Sequence, residues 1–265
     1  MKHIKLFETS AAYNAAILDL PNVSLIEENM SVHYNPYVEP PFFCKLTLND
    51  GSIVELEGSG KLPSNIIYNY RSTLVSAEIG EACTSVDNYA FQRCSSLTSV
   101  NIPDSVTSIG EGAFYSCSSL ISIVIPSGVT SIGASTFESC SNLTSVVIGN
   151  SVTSIGNNAF YDCSGLTSVD IPDSVTSIGN WAFFICIGLT SVNIPDSVTS
   201  IGESAFTGCR VLTSITVEAI TPPTLNKNVF NNTNDCPIYV PAESVEIYKV
   251  TEGWSNYVDR IQAIQ

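Results

Sequence analysis

The chain has 265 residues, a formal net charge of −15, and only 13% charged against 44% hydrophobic residues. So acidic a chain is not drawn to nucleic acid or to an anionic membrane, and charge excludes these partners. No stretch approaches the about 20 apolar residues that a spanning helix needs, so we expect no direct membrane insertion.

The first 60 residues predict a small α+β module. Ser10–Leu20 has the composition of a short helix that Pro21 ends, and Val23–Tyr34 alternates on both sides of a polar middle, as a hairpin does. A stronger hairpin is predicted over Phe42–Gly58, whose central Asp-Gly pair favours a tight turn between two alternating runs.

The N-terminus carries cationic residues without a sustained apolar run behind them. Glu8, Thr9 and Ser10 interrupt that run, so no secretory signal peptide is recognised. The residues alone leave both a cytoplasmic and an extracellular location open.

A 23-residue repeat follows. Its most regular mark is a phenylalanine that recurs at this spacing: Phe91, Phe114, Phe137, Phe160, Phe183 and Phe206. The consensus L-T-S-V-x-I-P-x-S-V-T-S-I-G-x-x-A-F-x-x-C-x-x opens with the alternation of a strand and the L-x-x-V-x-I order of a leucine-rich repeat. Its proline ends the strand ladder, because proline has no N–H to donate. We therefore predict stacked parallel strands from about residue 74 to residue 217.

The second half of each copy predicts a return to the core and a short helical turn. Gly110 recurs in most copies and is replaced by Asp87 in the first, and both types suit a backbone position with positive φ. Phe114, Cys117 and Leu120 step by three, as on one side of a helical turn. One copy cannot bury its own apolar face, so stacking and end caps are required.

The nine cysteines are best explained as core residues. Six hold the same repeat position beside Phe and Leu: Cys94, Cys117, Cys140, Cys163, Cys186 and Cys209. Cys44, Cys83 and Cys236 make the total odd, there is no C-x-x-C pair, and His3 and His33 lie outside the repeats. We expect buried free thiols that pack as small hydrophobes, and neither a metal nor a cofactor.

The C-terminal residues predict a worn repeat and a cap. Thr221–Phe230 and Cys236–Pro241 resemble a degenerate copy, a helix is predicted after Pro241, and Gly253 interrupts it. An apolar stripe follows, made of Trp254, Tyr257, Ile261 and Ile264. Such a plug closes the last open face of a solenoid, so the tryptophan is predicted to be part of the cap.

The motif LTSVNIPDSVTSIGEGAFYSC is similar to the repeats of the BspA-like leucine-rich-repeat family of bacterial and protozoan surface proteins. The tail PIYVPAESVEIYKVTEGWSNYVDRIQAI resembles the closing segment of such proteins in gut Bacteroidetes. The predicted fold is a leucine-rich-repeat solenoid, mainly parallel β with short helical turns on the convex side. The small α+β module at 1–60 precedes the solenoid at 61–220, and the degenerate repeat and helical cap at 221–265 close it.

This resemblance implies a cell-surface or secreted protein that binds host or matrix proteins or other cells. A structural spacer or assembly subunit, whose N-terminal module docks to a larger complex, is the alternative. An enzyme is disfavoured, because both histidines precede residue 34 and the chain has neither a phosphate-binding glycine loop nor an H-E-x-x-H motif. Its repeated Ser-Ile-Gly is scaffold, and no catalytic residue is assigned.

Two faces compete as the binding surface. Outward strand positions carry monotonous Thr and Ser, which offer few anchors, and one column varies: Asn101, Val124, Val147, Asp170, Asn193 and Thr216. On the convex side, the copy N-W-A-F-F-I-C-I places apolar residues at outward positions, which is typical of a contact surface.

We therefore predict a partner-binding or self-association site on the convex side. The alternative is that these side chains fill local gaps. The predicted site residues are Trp181, Phe184, Ile185 and Ile187, extended by Tyr161 and Tyr115, which share a column with Phe184.

Overall fold

The computed structural model describes residues 2–5 and 43–265 of the chain. The helix predicted at Ser10–Leu20 and the hairpin predicted at Val23–Tyr34 lie outside these residues. The described residues form a parallel β-solenoid with few helices, which confirms the predicted fold class. Copies of the repeat are numbered below by their phenylalanine, from Phe91 in the first to Phe206 in the sixth.

The predicted hairpin is present, and its sheet runs on into the solenoid. Strand β1 (Lys2–Lys5) pairs in parallel with β3 (Ile53–Glu57), which pairs antiparallel with β2 (Cys44–Leu48). Strand β2 also pairs antiparallel with β5 (Leu74–Ile79), which pairs in parallel with β7 (Ser99–Asn101). One sheet, β1-β3-β2-β5-β7, therefore crosses the predicted boundary at residue 60, and the hairpin covers the N-terminal end of the repeat core.

Two parallel ladders run along the solenoid. The first contains β9 (Ser122–Ile125), β11 (Ser145–Ile148), β14 (Ser191–Ile194), β16 (Ser214–Val217) and β18 (Ile238–Val240). The second contains β4 (Gly60–Leu62), β6 (Cys83–Val86), β8 (Ser108–Ile109), β10 (Ser131–Ile132), β12 (Ser154–Ile155), β13 (Ser177–Ile178), β15 (Ser200–Ile201) and β17 (Thr224–Leu225). Residues pair at the repeat spacing, as Ser145 does with Ser122. In the fifth copy, residues 168–171 keep only an isolated bridge between Asp170 and Asn193.

A stack of phenylalanine rings forms the axis of the core. Phe91, Phe114, Phe137, Phe160, Phe183, Phe206 and Phe230 are all buried, and successive centroids lie 5.1 to 5.8 Å apart. Interplanar angles between 3° and 18° make them stacked pairs, each of which contributes about 0.5–1.5 kcal/mol beyond burial. The stacked phenylalanine rings thus stabilise the solenoid along the length of the repeats.

The cysteines form a second buried column, as predicted. All nine are free and buried. The Sγ of Cys117 donates to the carbonyl oxygen of Phe91 in the preceding turn at 3.0 Å, and that of Cys163 to Phe137 at 3.1 Å. Each such thiol is a second donor, because the Phe91 carbonyl already accepts the Cys94 N–H and the Phe137 carbonyl accepts the Cys140 N–H.

The repeated glycine has a different cause from the one predicted. Gly110, Gly156, Gly179 and Gly202 are absent from the residues with positive φ, so the prediction of a left-handed backbone there is wrong. A Cβ on Gly202 would lie 2.4 Å from the Asn180 backbone nitrogen in the preceding turn. At these four positions the preceding turn approaches too closely for a side chain, whereas a Cβ on Gly133 would have its nearest neighbour at 3.3 Å.

Two short helices complete the described elements. Helix α1 (Ser64–Tyr68) precedes the first copy, and helix α2 (Val245–Val250) lies in the cap. Around α2, the cap contains the 3-10 segments Ala242–Ser244 and Trp254–Arg260, and strand β19 (Ile261–Ala263), which pairs with β18.

The cap is tied down by buried hydrogen bonds. The indole Nε1 of Trp254 donates to the Pro223 carbonyl at 2.8 Å, and the Tyr248 hydroxyl donates to the Ala219 carbonyl at 2.7 Å. The Trp254 ring continues the aromatic column 5.8 Å from Phe230. The last residue of the predicted apolar stripe, Ile264, is exposed and does not belong to the buried cap.

Candidate protein-binding surface

The convex side consists of consecutive turns in which two backbone positions per copy are left-handed. At Gly112 φ is 56°, and at Ser116 φ is 57°. Both donate their N–H to the next copy, Gly112 to the Ala134 carbonyl at 2.9 Å and Ser116 to that of Glu138 at 2.7 Å. The left-handed conformation at these two positions thus recurs together with hydrogen bonds between successive copies.

These left-handed positions form two columns. The first contains Tyr89, Gly112, Ser135, Asn158, Trp181, Ser204 and Asn228. The second contains Arg93, Ser116, Ser139, Asp162, Ile185, Gly208 and Asn232. Gly, Asn and Asp tolerate this conformation, whereas a bulky or β-branched residue is an outlier in it. Bulky side chains occupy these columns only in the first and fifth copies.

The fifth copy holds the four residues predicted from its departure from the consensus. Trp181 and Ile187 are 37% and 42% exposed, and Phe184 and Ile185 are half-buried. Trp181 has φ of 54° and Ile185 has φ of 57°. A strained position of this kind costs on the order of 1–3 kcal/mol and is characteristic of functional sites.

Tyr161 joins this group and Tyr115 does not reach it. The Tyr161 ring stacks on Phe184 with centroids 5.1 Å apart and planes 17° apart. Tyr115 stands in the same column, but Glu138 occupies the turn between it and Tyr161. The fifth-turn patch is defined here as Trp181, Phe184, Ile185, Ile187 and Tyr161.

Acidic side chains border the fifth-turn patch. Asp162 precedes Ile185 in the second left-handed column, and the Trp181 N–H donates to the carbonyl of Glu203, which is half-buried. One exposed cation, Arg210, follows Ile187 in the next copy. The patch is thus an apolar centre with a mainly acidic border, in a chain whose net charge is −15.

The hydroxyls on the strand face are engaged within the fold. The Oγ1 of Thr144 donates to the Ile121 carbonyl at 3.1 Å, and that of Thr190 donates to the Thr167 carbonyl at 3.1 Å. The same bond recurs along this column and along the column that contains Thr153. These threonines are therefore ladder-forming residues, a role that repeat spacing alone did not reveal.

The strand face also carries exposed apolar side chains. Val124 and Val147 are paired on β9 and β11 and are 56% and 58% exposed. Beside them, a groove of about 720 Å³ is lined by residues that include Asp170, Asn193 and Glu218. The Asn193 amide donates to the Glu218 carboxylate at 2.9 Å. This valine pair has ordinary strand geometry, so it provides a control for the fifth-turn patch: exposed apolar area without a left-handed backbone.

The buried thiols are poor nucleophiles. Burial raises the pKa of Cys140 from 9.0 to about 12, and burial also raises the pKa of Cys163 well above its ordinary value. Since the thiolate is the reactive form, these cysteines are chemically inert in the folded chain. Within residues 2–5 and 43–265, no cluster of His, Cys, Asp and Glu is placed to hold a metal ion.

The fold and the stacked columns define a leucine-rich-repeat solenoid. The profile of the BspA type leucine rich repeat region matches residues 61–189 and 153–251, with six copies. The chain belongs to the BspA-type leucine-rich-repeat family.

Solved structures include several similar solenoids. A T. pallidum leucine-rich repeat protein is 28% identical over 74% of this chain and 88% of its own, with a TM-score of 0.58. A leucine-rich cell surface protein of Faecalibacterium prausnitzii is 24% identical over 83% of this chain and 85% of its own, with a TM-score of 0.32. A Bacteroides ovatus leucine-rich repeat protein is 20% identical over 78% and 71%, with a TM-score of 0.29. A search among curated protein sequences gives no match.

Helices of the described part of the chain are all too short to cross a membrane.

Proposed function

We propose that the chain is a non-enzymatic adhesion scaffold at the cell surface that binds a host or matrix protein through the fifth-turn patch. Family membership supports the class, and the surface location rests on the resemblance of the repeats to those of BspA-like surface proteins. The observation that carries the site is Ile185, a β-branched residue in a left-handed position where the first copy places Arg and the others place Gly, Ser, Asn or Asp.

The choice of residues in the patch favours a contact role. The fold needs only a left-handed backbone at positions 181 and 185, which Gly or Asn supplies with less strain. Tryptophan and isoleucine add apolar area and strain at the same two points, beyond what the left-handed backbone requires. Exposed aromatic and aliphatic groups of this kind act as anchors in protein interfaces.

The border of the patch limits the chemistry of the partner. Asp162 lies in the turn before the apolar centre and Glu203 in the turn after it, and the whole chain is strongly acidic. A protein that presents an apolar side chain framed by Lys or Arg is complementary to this surface. Binding is then expected to weaken with salt, because charges at an interface rim are screened.

The alternative role as a spacer or assembly subunit receives less support. It requires the N-terminal module to dock elsewhere, yet β2 and β3 are already paired into the first ladder of the solenoid. Phe43 and Leu46, at the start of this hairpin, are fully buried in the common core. Within the described residues, the hairpin acts as a cap on the repeats.

A pair of matched double variants tests the proposal. Trp181→Ser/Phe184→Ser removes the centre of the patch, and Val124→Ser/Val147→Ser removes exposed apolar area from the opposite face. The panel for binding is a set of immobilised extracellular-matrix proteins and whole host cells. We expect the first variant to lose binding by about tenfold or more and the second to retain it, which corresponds to about 1.4 kcal/mol or more.

The reverse pattern would move the site to the strand face and overturn the proposal. Sedimentation of the unmodified chain and of both variants tests self-association. A dimer that only the Trp181→Ser/Phe184→Ser change dissociates, with no binding to the panel, would replace the adhesion role by self-assembly.

A further inference from the structure

The first copy has the other two bulky residues in the left-handed columns, Tyr89 and Arg93, with φ of 57° and 60°. Tyr89 borders a cavity of about 500 Å³ that the fifth-turn patch does not share. Its lining residues are Ser64, Tyr68, Arg71, Asn88, Tyr89 and Gln92. This volume is within the range of small-ligand sites.

Tyr89 is held in place at both ends of its ring. Its hydroxyl donates to the Glu111 Oε1 at 2.7 Å. A Cβ on Gly112 would lie 2.2 Å from the Tyr89 Cε1, so the ring lies directly against the backbone of the next copy. Glycine at position 112 therefore makes room for this ring, and the ring borders the cavity in a fixed orientation.

Tyr68 and Arg71 occupy the repeat positions of the phenylalanine and cysteine columns, 23 residues before Phe91 and Cys94. They do not perform the packing role of those columns, because Tyr68 is 62% exposed. The Arg71 guanidinium carbon lies instead 4.2 Å from the Tyr68 ring centroid, and its Nη2 donates to the Gln92 Oε1 at 3.4 Å. The last turn before the first copy thus departs from the core pattern at its cavity-lining positions.

The cavity is rich in hydrogen-bond donors. The Asn88 side-chain oxygen already accepts the Glu111 N–H at 3.0 Å, and the Gln92 oxygen accepts from Arg71. Their amide NH₂ groups and the guanidinium are what remain for a ligand. The Arg71 Nε is buried, so a ligand contacts the guanidinium through its terminal nitrogens. A ligand for this site must therefore supply acceptors.

We propose that this cavity binds an acidic sugar, a pyranose with one carboxylate such as a uronic or sialic acid. The carboxylate matches the guanidinium of Arg71, and the sugar ring matches the exposed faces of Tyr68 and Tyr89. A chain of net charge −15 disfavours polyanions, so a ligand with a single carboxylate is selected. The site has a chemistry of its own and does not depend on the protein-binding role of the fifth-turn patch.

Titration of the full chain with D-glucuronate and N-acetylneuraminate, followed by calorimetry or NMR, tests this site. D-glucose is the neutral match and acetate is the match without a sugar ring. We expect binding of at least one acidic sugar, about tenfold weaker binding of glucose and acetate, and about tenfold loss on Tyr68→Ser or Arg71→Lys. Arg210→Gln, which removes a distant cation, and Trp181→Ser/Phe184→Ser are expected to bind as the unmodified chain does.

Several results would overturn the assignment. One is equal binding of glucose and glucuronate, and another is equal binding of acetate and the acidic sugars. A third is that neither D-glucuronate nor N-acetylneuraminate binds. An unchanged affinity in both Tyr68→Ser and Arg71→Lys would place any sugar binding elsewhere. Thermal unfolding of Tyr68→Ser, an exposed position, checks that the variant is folded.

Discussion

The N–H of Ile185 donates a hydrogen bond to the carbonyl of Thr207, one turn further along the solenoid, at 2.9 Å. The same bond is made from the same column by Ser116, Ser139 and Asp162. The bond and the left-handed backbone recur along this column with side chains as different as serine and aspartate. The left-handed backbone therefore does not call for an isoleucine, and this residue is the basis of the contact site proposed for the fifth copy.

Replacing Ile185 with the residue type that the column tolerates is expected to stabilise the chain. Ile185→Asn relieves a β-branched side chain of its left-handed strain and should raise the free energy of unfolding by about 1 kcal/mol. Urea unfolding followed by circular dichroism measures it. Asp162→Asn, in the same column, is the control and is expected to change little. A clear loss of stability in Ile185→Asn would show that the side chain has a packing role.

Interrupting the phenylalanine stack is expected to destabilise the solenoid strongly. Phe137→Ala removes a fully buried ring that contacts Phe114 and Phe160, and large aromatic-to-alanine changes of this kind cost about 3–5 kcal/mol. Glu138→Ala, next to it on the surface, provides the control for denaturant unfolding. A loss below about 1 kcal/mol in Phe137→Ala would contradict the stack as the energetic axis.

Adding a side chain at a position of the glycine column is expected to destabilise the fold, because the preceding turn leaves no room for it. A Cβ on Gly179 would lie 2.6 Å from the Asn157 backbone nitrogen, and backbone atoms cannot move aside cheaply. We expect Gly179→Ala to lower the free energy of unfolding by about 1–3 kcal/mol or more. The exposed Ser151→Ala is the control in the same thermal melt. Equal melting temperatures for the two variants would count against close approach as the reason for glycine.

The thiol column predicts a loss of stability in alkali. Burial raises the pKa of Cys140 and of Cys209 from 9.0 to about 12 in the folded chain, so the unfolded chain releases these protons first. The contribution of these groups is fully present below about pH 9 and is lost as pH rises from 9 towards 12. Free energies of unfolding measured across this window should fall, and less steeply in Cys140→Ala/Cys209→Ala. If the free energy of unfolding fell equally steeply with pH in the unmodified chain and in the variant, the raised pKa values of these cysteines would be contradicted.

Much of the architecture was predictable from the repeat itself. The 23-residue spacing identified the strands, the buried cysteines and the need for a cap, because each depends on which residues recur. Backbone conformation does not follow from recurrence: Gly110 is conserved between copies for its close contact with Asn88, and the left-handed residues lie two and six positions further on. A column such as Gly112, Ser135 and Asn158 gives that signal only after its members are compared across copies.

The candidate sites were predictable in part. The apolar residues of the fifth copy stood out against the consensus, and Tyr161 was correctly placed beside Phe184 by its column. The same column has Glu138 between Tyr115 and Tyr161, so the sequence already separated Tyr115 from the other aromatic residues. The cavity at the first copy escaped prediction, because Tyr68 and Arg71 lie before the first legible repeat and their relation to it is a matter of three-dimensional packing.

Binding through the fifth-turn patch is tested most directly by measuring affinity for matrix proteins and host cells. The Trp181→Ser/Phe184→Ser variant is compared with the Val124→Ser/Val147→Ser variant, after both are shown to be folded. We expect the affinity to fall by about tenfold or more in the first variant and to stay unchanged in the second. Retained binding in the first variant, or an equal loss in both, would contradict a contact site on the fifth turn.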